Sequence, residues 1–279
     1  MREFLVRTAA LARPLGLLLV LAAMSTPAGY AEPALTPHTA SYNVKVSVVG
    51  GELKTRLSLD ADGRYVATHM IRPTGMSRML ARGKITETSE FYAAEDGIRP
   101  DKYTSIDTLS RDKENVDIQF DWNSGEARGT VNDVFVVSAM EDVAHDRVSI
   151  QYELMHDLVN GAPSTEYVLF DIDRLKVVTV RNVGRKSIKT PAGRFDAVGI
   201  QHQTANSKRT TTLWCVEELD YLPVLIEQHK KGKLRVRAVL KKYTPESAVV
   251  TTRPAPLATF EDLADVQLAV LFLEDRDRP

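Results

Sequence analysis

Three kinds of side chain in this sequence could do chemistry: imidazoles, one thiol and neighbouring carboxylates. The six histidines, His38, His69, His145, His156, His202 and His229, are scattered. A zinc site on a helix needs two imidazoles one turn apart, as in HExxH. No pair has that spacing, although His145 and His156 flank one segment that reads as a helix, so no metal ligand set is assigned. Cys215 is the sole cysteine and follows Trp214 in a predicted strand. A nucleophilic thiol needs a base and a lowered pKa. Strand alternation points Trp214 and Cys215 to opposite faces, and Cys215 reads as a small packing residue. Asp171 with Asp173, and Glu217 with Glu218, come nearest to paired carboxylates. Glycoside hydrolysis needs two carboxyl groups facing across a cleft, which neighbours at a strand end do not supply. GxSxG is absent, and Gly50-Gly51 is not followed by the Lys-Ser or Lys-Thr of a phosphate loop. No catalytic residue and no cofactor is expected.

Two basic segments remain. From Lys230 to Lys242, Arg235 and Arg237 alternate with Leu234, Val236 and Ala238, so one face is charged and the other apolar. This face is either simply solvated or in contact with anionic envelope material. Arg72, Arg78 and Arg82 surround Met76, Met79 and Leu80 beside Pro73-Thr74-Gly75, which makes a loop. Its methionines either fold into the core or serve a lipid or protein as an adaptable surface.

The elements that position these groups are mostly strands. Tyr42, Val44, Val46 and Val48 alternate with polar residues, a period of two. Gly50-Gly51 turns into Leu53, Thr55, Leu57 and Leu59, and Asp62-Gly63 turns into Tyr65, Ala67, His69 and Ile71. Further strands are predicted over 84–91, from Arg99, over 116–121 and 126–131, and then over 167–172, 176–182, 185–190, 195–204, 210–216, 222–229 and 234–243. One helix is predicted between Asp146 and Asn160. Asp142 or Asp146 can cap its start. Val148, Tyr152, Met155, Leu158 and Val159 form its apolar face, and Gly161 with Pro163 ends it. The expected fold is mostly β, an antiparallel, strongly curved sheet or open barrel with this amphipathic helix in its concavity. Trp122, Tyr152, Met155 and Trp214 are the candidate lining residues of an apolar cavity, with ordinary core as the default reading of each.

The N-terminus carries Arg2, Arg7 and Arg13, an apolar stretch from Leu15 to Met24, and the small residues before Ala31. This is the order of a cleaved secretory signal, with cleavage expected after Ala31. The apolar stretch is about ten residues, short of the roughly 20 that span a bilayer. The chain is therefore divided into a signal peptide (1–31), one β-rich domain (32–245), and a linker with a short C-terminal helix and tail (246–279). Export to the periplasm leaves no transmembrane segment. The 36 basic and 37 acidic residues nearly cancel, which gives no electrostatic reason to expect a nucleic-acid partner.

An ordered set of short cues runs from Tyr42 to Tyr243. They are Arg99-Pro100-Asp101-Lys102-Tyr103, Phe120-Asp121-Trp122, Asp142 ahead of the helix with Ser149 and Tyr152, Thr190-Pro191-Ala192-Gly193-Arg194-Phe195-Asp196-Ala197, Leu213-Trp214, and Tyr221-Leu222-Pro223-Val224. On these the chain resembles an exported bacterial family catalogued as domain of unknown function 3108. The resemblance implies a periplasmic β protein and brings no catalytic residues with it. The second half is also similar in style to the curved half-barrels of envelope lipoprotein carriers. The combined expectation is a non-catalytic protein that binds a hydrophobic envelope component or partner and supports envelope integrity. A protein-interaction scaffold of the envelope is the alternative, and an enzyme acting on envelope polymers is a lesser one.

Overall fold

A computed structural model describes residues 34–47, 49–94, 96–110, 113–171 and 174–246. The signal-peptide reading, the linker and the C-terminal helix lie outside these residues.

Alternation governs the first half of the chain. Strands β1 (His38–Val46), β2 (Val49–Leu59) and β3 (Arg64–Pro73) each bury every second residue, as a sheet with one covered face requires. β4 (Ile85–Ala94), β5 (Gly97–Asp107), β6 (Asn115–Asp121), β7 (Glu126–Val131) and β8 (Val134–Ala139) continue the meander. After a two-residue β9 (Ala144–His145) comes the main helix, Ser149–Val159. β10 (Glu166–Asp171), β11 (Arg174–Thr190), β12 (Gly193–Thr204), β13 (Arg209–Val216), β14 (Leu222–Lys230) and β15 (Lys233–Pro245) complete the fold.

All fifteen strands belong to one sheet, in the order β8-β7-β6-β5-β4-β3-β2-β1-β15-β14-β13-β12-β11-β10-β9. Every pairing is antiparallel except β9 with β10. The sheet does not close, and β8 and β9 are its edges. It is nevertheless strongly curved, because β9 at one extreme comes against β5 in the other half, and β11 reaches β14 and β15. The helix lies in the concavity against β4 and β5. The fold expected from periodicity is the fold observed.

Three local details differ from the sequence reading. β8 was not expected; its turn is Asn132-Asp133, both at positive φ (50° and 64°), which suits a tight hairpin. The strands expected over 176–182 and 185–190 are one long β11. Its register shifts between Asn182 and Arg185, where Gly184 stands at φ 97°, so the glycine marks a bulge and not a chain reversal. The Met76 loop contains a one-turn helix, α1 (Ser77–Leu80), and the main helix is therefore α2.

Candidate functional site

The candidate site is the part of the concave face that α2 covers. Register places two rows of side chains across it. One row runs Ala40, Thr55, His69, Glu87, Ser105 through β1 to β5, and its neighbour runs His38, Leu57, Ala67, Ser89, Tyr103. The inward face is thus a polar stripe set in an apolar surround. Successive inward residues across a sheet touch as cross-strand pairs, so these groups form one surface and not isolated points.

Helix α2 begins at this stripe. The Asp146 carboxylate accepts hydrogen bonds from the Val148 and Ser149 amides at 2.7 and 2.8 Å, and from Ser89 Oγ at 2.6 Å. Asp146, and not Asp142, therefore satisfies the orphan amides of the first turn, and the same carboxylate ties the helix to β4. Burial pushes the Asp146 carboxyl above its ordinary range, against the opposing pull of those hydrogen bonds. Near the middle of the helix, Glu153 Oε2 accepts the Ile98 amide at 2.6 Å. A Cβ on Gly97 would lie 2.7 Å from Glu153 Oε1, so a glycine is needed for this approach. Burial pushes Glu153 up to about 7.

Arg147 is the electrostatic centre. Its guanidinium donates to Asp171 Oδ1 on β10 at 2.6 and 2.8 Å and to Glu114 Oε1 at 2.9 Å, with Glu87 on β4 at 3.9 Å. Lys176 reaches the other Asp171 oxygen at 2.6 Å, and Tyr103 OH donates to Glu87 at 2.7 Å. Burial would raise Asp171, but Arg147 and Lys176 outweigh it and hold the carboxyl below its usual range. Glu87 goes the other way, raised by burial beyond what Arg147 and Tyr103 offset. The cluster joins β4, the approach to β6, and β10. It is an ionic clasp across the gap that hydrogen bonding leaves open.

Beside the clasp lies a group of a different kind. The Tyr152 ring packs between Phe91, His69 and His38, with centroids 5.5, 6.0 and 6.4 Å away. His38 Nδ1 is 2.8 Å from the Thr36 carbonyl. That contact needs a proton on Nδ1, which leaves Nε2 as an acceptor in the neutral ring. Among the described residues His38 Nε2, Thr55 Oγ1, His69 Nε2 and the Tyr152 hydroxyl are buried without a hydrogen-bond partner. Each such group costs on the order of 1–3 kcal/mol unless something satisfies it.

The four lining candidates separate. Tyr152 and Met155 are both buried on α2 in the concavity. Trp122 is half-buried at the β6–β7 turn, where its Nε1 donates to the Pro100 carbonyl at 2.7 Å and its ring stacks on Phe120. Trp214 needs correction. It points away from Cys215 and lies on the outer face, with Lys186 Nζ 3.7 Å over its ring and Nε1 directed at Glu227. Alternation puts Leu213 and Cys215 inside and leaves Trp214 to cover Gly199. Burial pushes the Cys215 thiol up, and it packs in the core. Among the described residues no three His, Cys, Asp or Glu side chains are grouped to hold a metal ion. Glu217 and Glu218 sit in an exposed short turn, and Asp171 belongs to the clasp. Sequence reasoning missed Arg147 and the His38–Thr55–His69 group. The signal for the latter was polar residues at positions where alternation demanded apolar ones.

Fold and site together define an open, β-barrel-like protein whose concave face is filled by a helix over a polar stripe. The chain belongs to the family described as protein of unknown function DUF3108, whose model matches residues 39–238. Among solved structures it is similar to the β-barrel-like protein of domain of unknown function DUF1849 from Brucella abortus. The identity is 11%, the TM-score 0.53, and the match covers 76% of this chain and 99% of that one. It is also similar to MucB, at 9% identity and TM-score 0.34 over 80% and 56% of the two chains. A chain from Bacteroides fragilis with a YmcC-like fold matches at 13% identity and TM-score 0.31, over 76% and 97%. Comparison with curated proteins gives no match. No helix among the described residues is long and apolar enough to cross a membrane.

Proposed function

We propose that this is an exported, periplasmic, non-catalytic binding protein for an amphiphilic component of the cell envelope, and that α2 is the plug of its binding chamber. Export is supported by the charged, apolar, small-residue order of residues 1–31. The observation that carries the binding reading is the group of four buried, protein-unpartnered polar atoms around Tyr152. They take either trapped water or the polar group of a ligand, and the apolar rows beside them suit the rest of an amphiphile. The clasp at Arg147 ties β4 and the approach to β6 to β10 beside this chamber. Use of the sheet edges as a docking scaffold is a second reading. It is favoured by β8, an edge strand with Val134, Phe135 and Val137 exposed, and sheet edges accept added strands.

Removing the Tyr152 hydroxyl separates a ligand role from a structural one. An unpartnered buried hydroxyl contributes nothing to folding, so Tyr152→Phe leaves the thermal midpoint unchanged or raises it. A dansyl-labelled long-chain fatty acid should bind the parent protein saturably at one site. It should bind Tyr152→Phe, and separately His69→Leu, about tenfold more weakly, the effect of one hydrogen bond. Equal affinity for all three proteins, or no saturable binding, would remove the amphiphile reading.

A further inference from the structure

The near-zero net charge conceals a local cluster of cations at one end of the strands from β4 to β12. In the order β4-β3-β2-β1-β15-β14-β13-β12 the connecting loops 74–84, 47–48, 231–232 and 205–208 all fall at one end of the sheet. They form a continuous rim. The Gly50 amide donates to Ser77 Oγ at 2.8 Å, Ser47 N to the Arg235 carbonyl at 3.1 Å, and Lys231 N to the Lys208 carbonyl at 2.9 Å. The segments that build it, residues 70–84, 43–51, 228–242 and 203–211, hold no Asp or Glu. Lys45, Arg78, Arg82, Lys84, Lys208, Lys231, Lys233 and Arg235 are exposed on it. The opposite end carries Asp60, Asp62, Asp96, Glu217, Glu218 and Asp220 in its turns.

Apolar groups stand among the rim cations. Met76 and Met79 are 84% and 79% exposed, and Leu234 is 47% exposed. A solvated face has no use for them, and an acidic glycan or a nucleic acid would reward the cations alone.

We propose that this rim docks on an anionic lipid surface, with Met76, Met79 and Leu234 entering the boundary between headgroups and acyl chains and the rim lysines and arginines meeting phosphate. Apolar insertion plus basic side chains is the combination that binds proteins reversibly to anionic bilayers. This inference does not rest on the chamber around Tyr152, because every group it uses lies on the outside.

Flotation with vesicles tests it, using the protein as exported. Vesicles of phosphatidylcholine with phosphatidylglycerol should carry the protein, vesicles of phosphatidylcholine alone should not, and added salt should release it. Arg78→Glu with Arg82→Glu, and separately Lys231→Glu with Lys233→Glu, should each weaken binding by about 30-fold or more. Met76→Ser with Met79→Ser should weaken it at unchanged charge. All these positions are exposed, so thermal midpoints should match the parent and show that folding is intact. Absence of binding to anionic vesicles, or binding indifferent to these substitutions, overturns the proposal. Retention on an acidic polysaccharide that depends on the cations but ignores the methionines also overturns it.

Discussion

Replacing Arg147 with methionine should cost about 3–5 kcal/mol of folding stability, the usual result of removing one member of a buried ion cluster. The side chain is only 8% exposed and binds Asp171 and Glu114 while standing near Glu87. Methionine fills much of the same volume, so the loss reports charge and not a cavity. Glu87, Glu114 and Asp171 would then face one another with Lys176 on Asp171. The deficit should shrink as pH falls toward the carboxylate range, because protonation removes the repulsion. Adding Glu114→Gln should recover part of it at neutral pH. Urea midpoints across pH measure all three. A loss below about 1 kcal/mol would mean that the clasp contributes little beyond a surface ion pair.

Acid should weaken the fold between pH 7 and pH 5 through its buried imidazoles. Burial lowers His69 and His145 to about 3 and His202 to about 4, against about 6.5 in the unfolded chain. Between these values the unfolded chain binds more protons than the folded one, so stability rises with pH across the window and is lost as pH falls through it. Each imidazole then removes about 2 kcal/mol by pH 5, at about 1.4 kcal/mol per unit. Glu153 has the opposite sign. Its folded pKa of about 7 lies above the unfolded value, so it gains stability as pH falls from 7, and after screening by solvent it offsets roughly 2 kcal/mol. These three imidazoles and Glu153 together give a loss of about 4 kcal/mol between pH 7 and pH 5, which the raised Asp146 and Glu87 carboxyls reduce and the lowered His38 increases. Denaturant midpoints that stay flat over this range would show the imidazoles to be solvated. His69→Leu should remove about a third of the histidine contribution.

The strands were legible because one covered face imposes a period of two on the sequence, and β1 to β3 show it without interruption. The helix was legible through Val148, Tyr152, Met155 and Leu158 and its Gly161 stop. β8 was not, because Val134, Phe135, Val136 and Val137 make an unbroken apolar run at an edge, of which only Val136 is partly covered. Half of the buried concave region could be read from the helix, which buries Tyr152 and Met155. The other half could not. Arg147 meets Glu87, Glu114 and Asp171 only after a curved sheet brings β9 against β5, a contact that no local pattern encodes. Trp214 was misplaced because a tryptophan in a strand looks like core until register shows which face carries it. The charged rim was hidden by averaging, since 36 basic and 37 acidic residues nearly cancel over the chain while the rim segments hold bases alone.

The central claim is that α2 covers a chamber for an amphiphile. Native mass spectrometry of the protein taken gently from its own envelope fraction, followed by solvent extraction and lipid analysis, tests this most directly. The account predicts a reproducible lipid-sized adduct at one per chain, at lower occupancy on Tyr152→Phe prepared in the same way, as about tenfold weaker binding requires. A bare chain in both preparations, or the same adduct at equal occupancy on both, would contradict it.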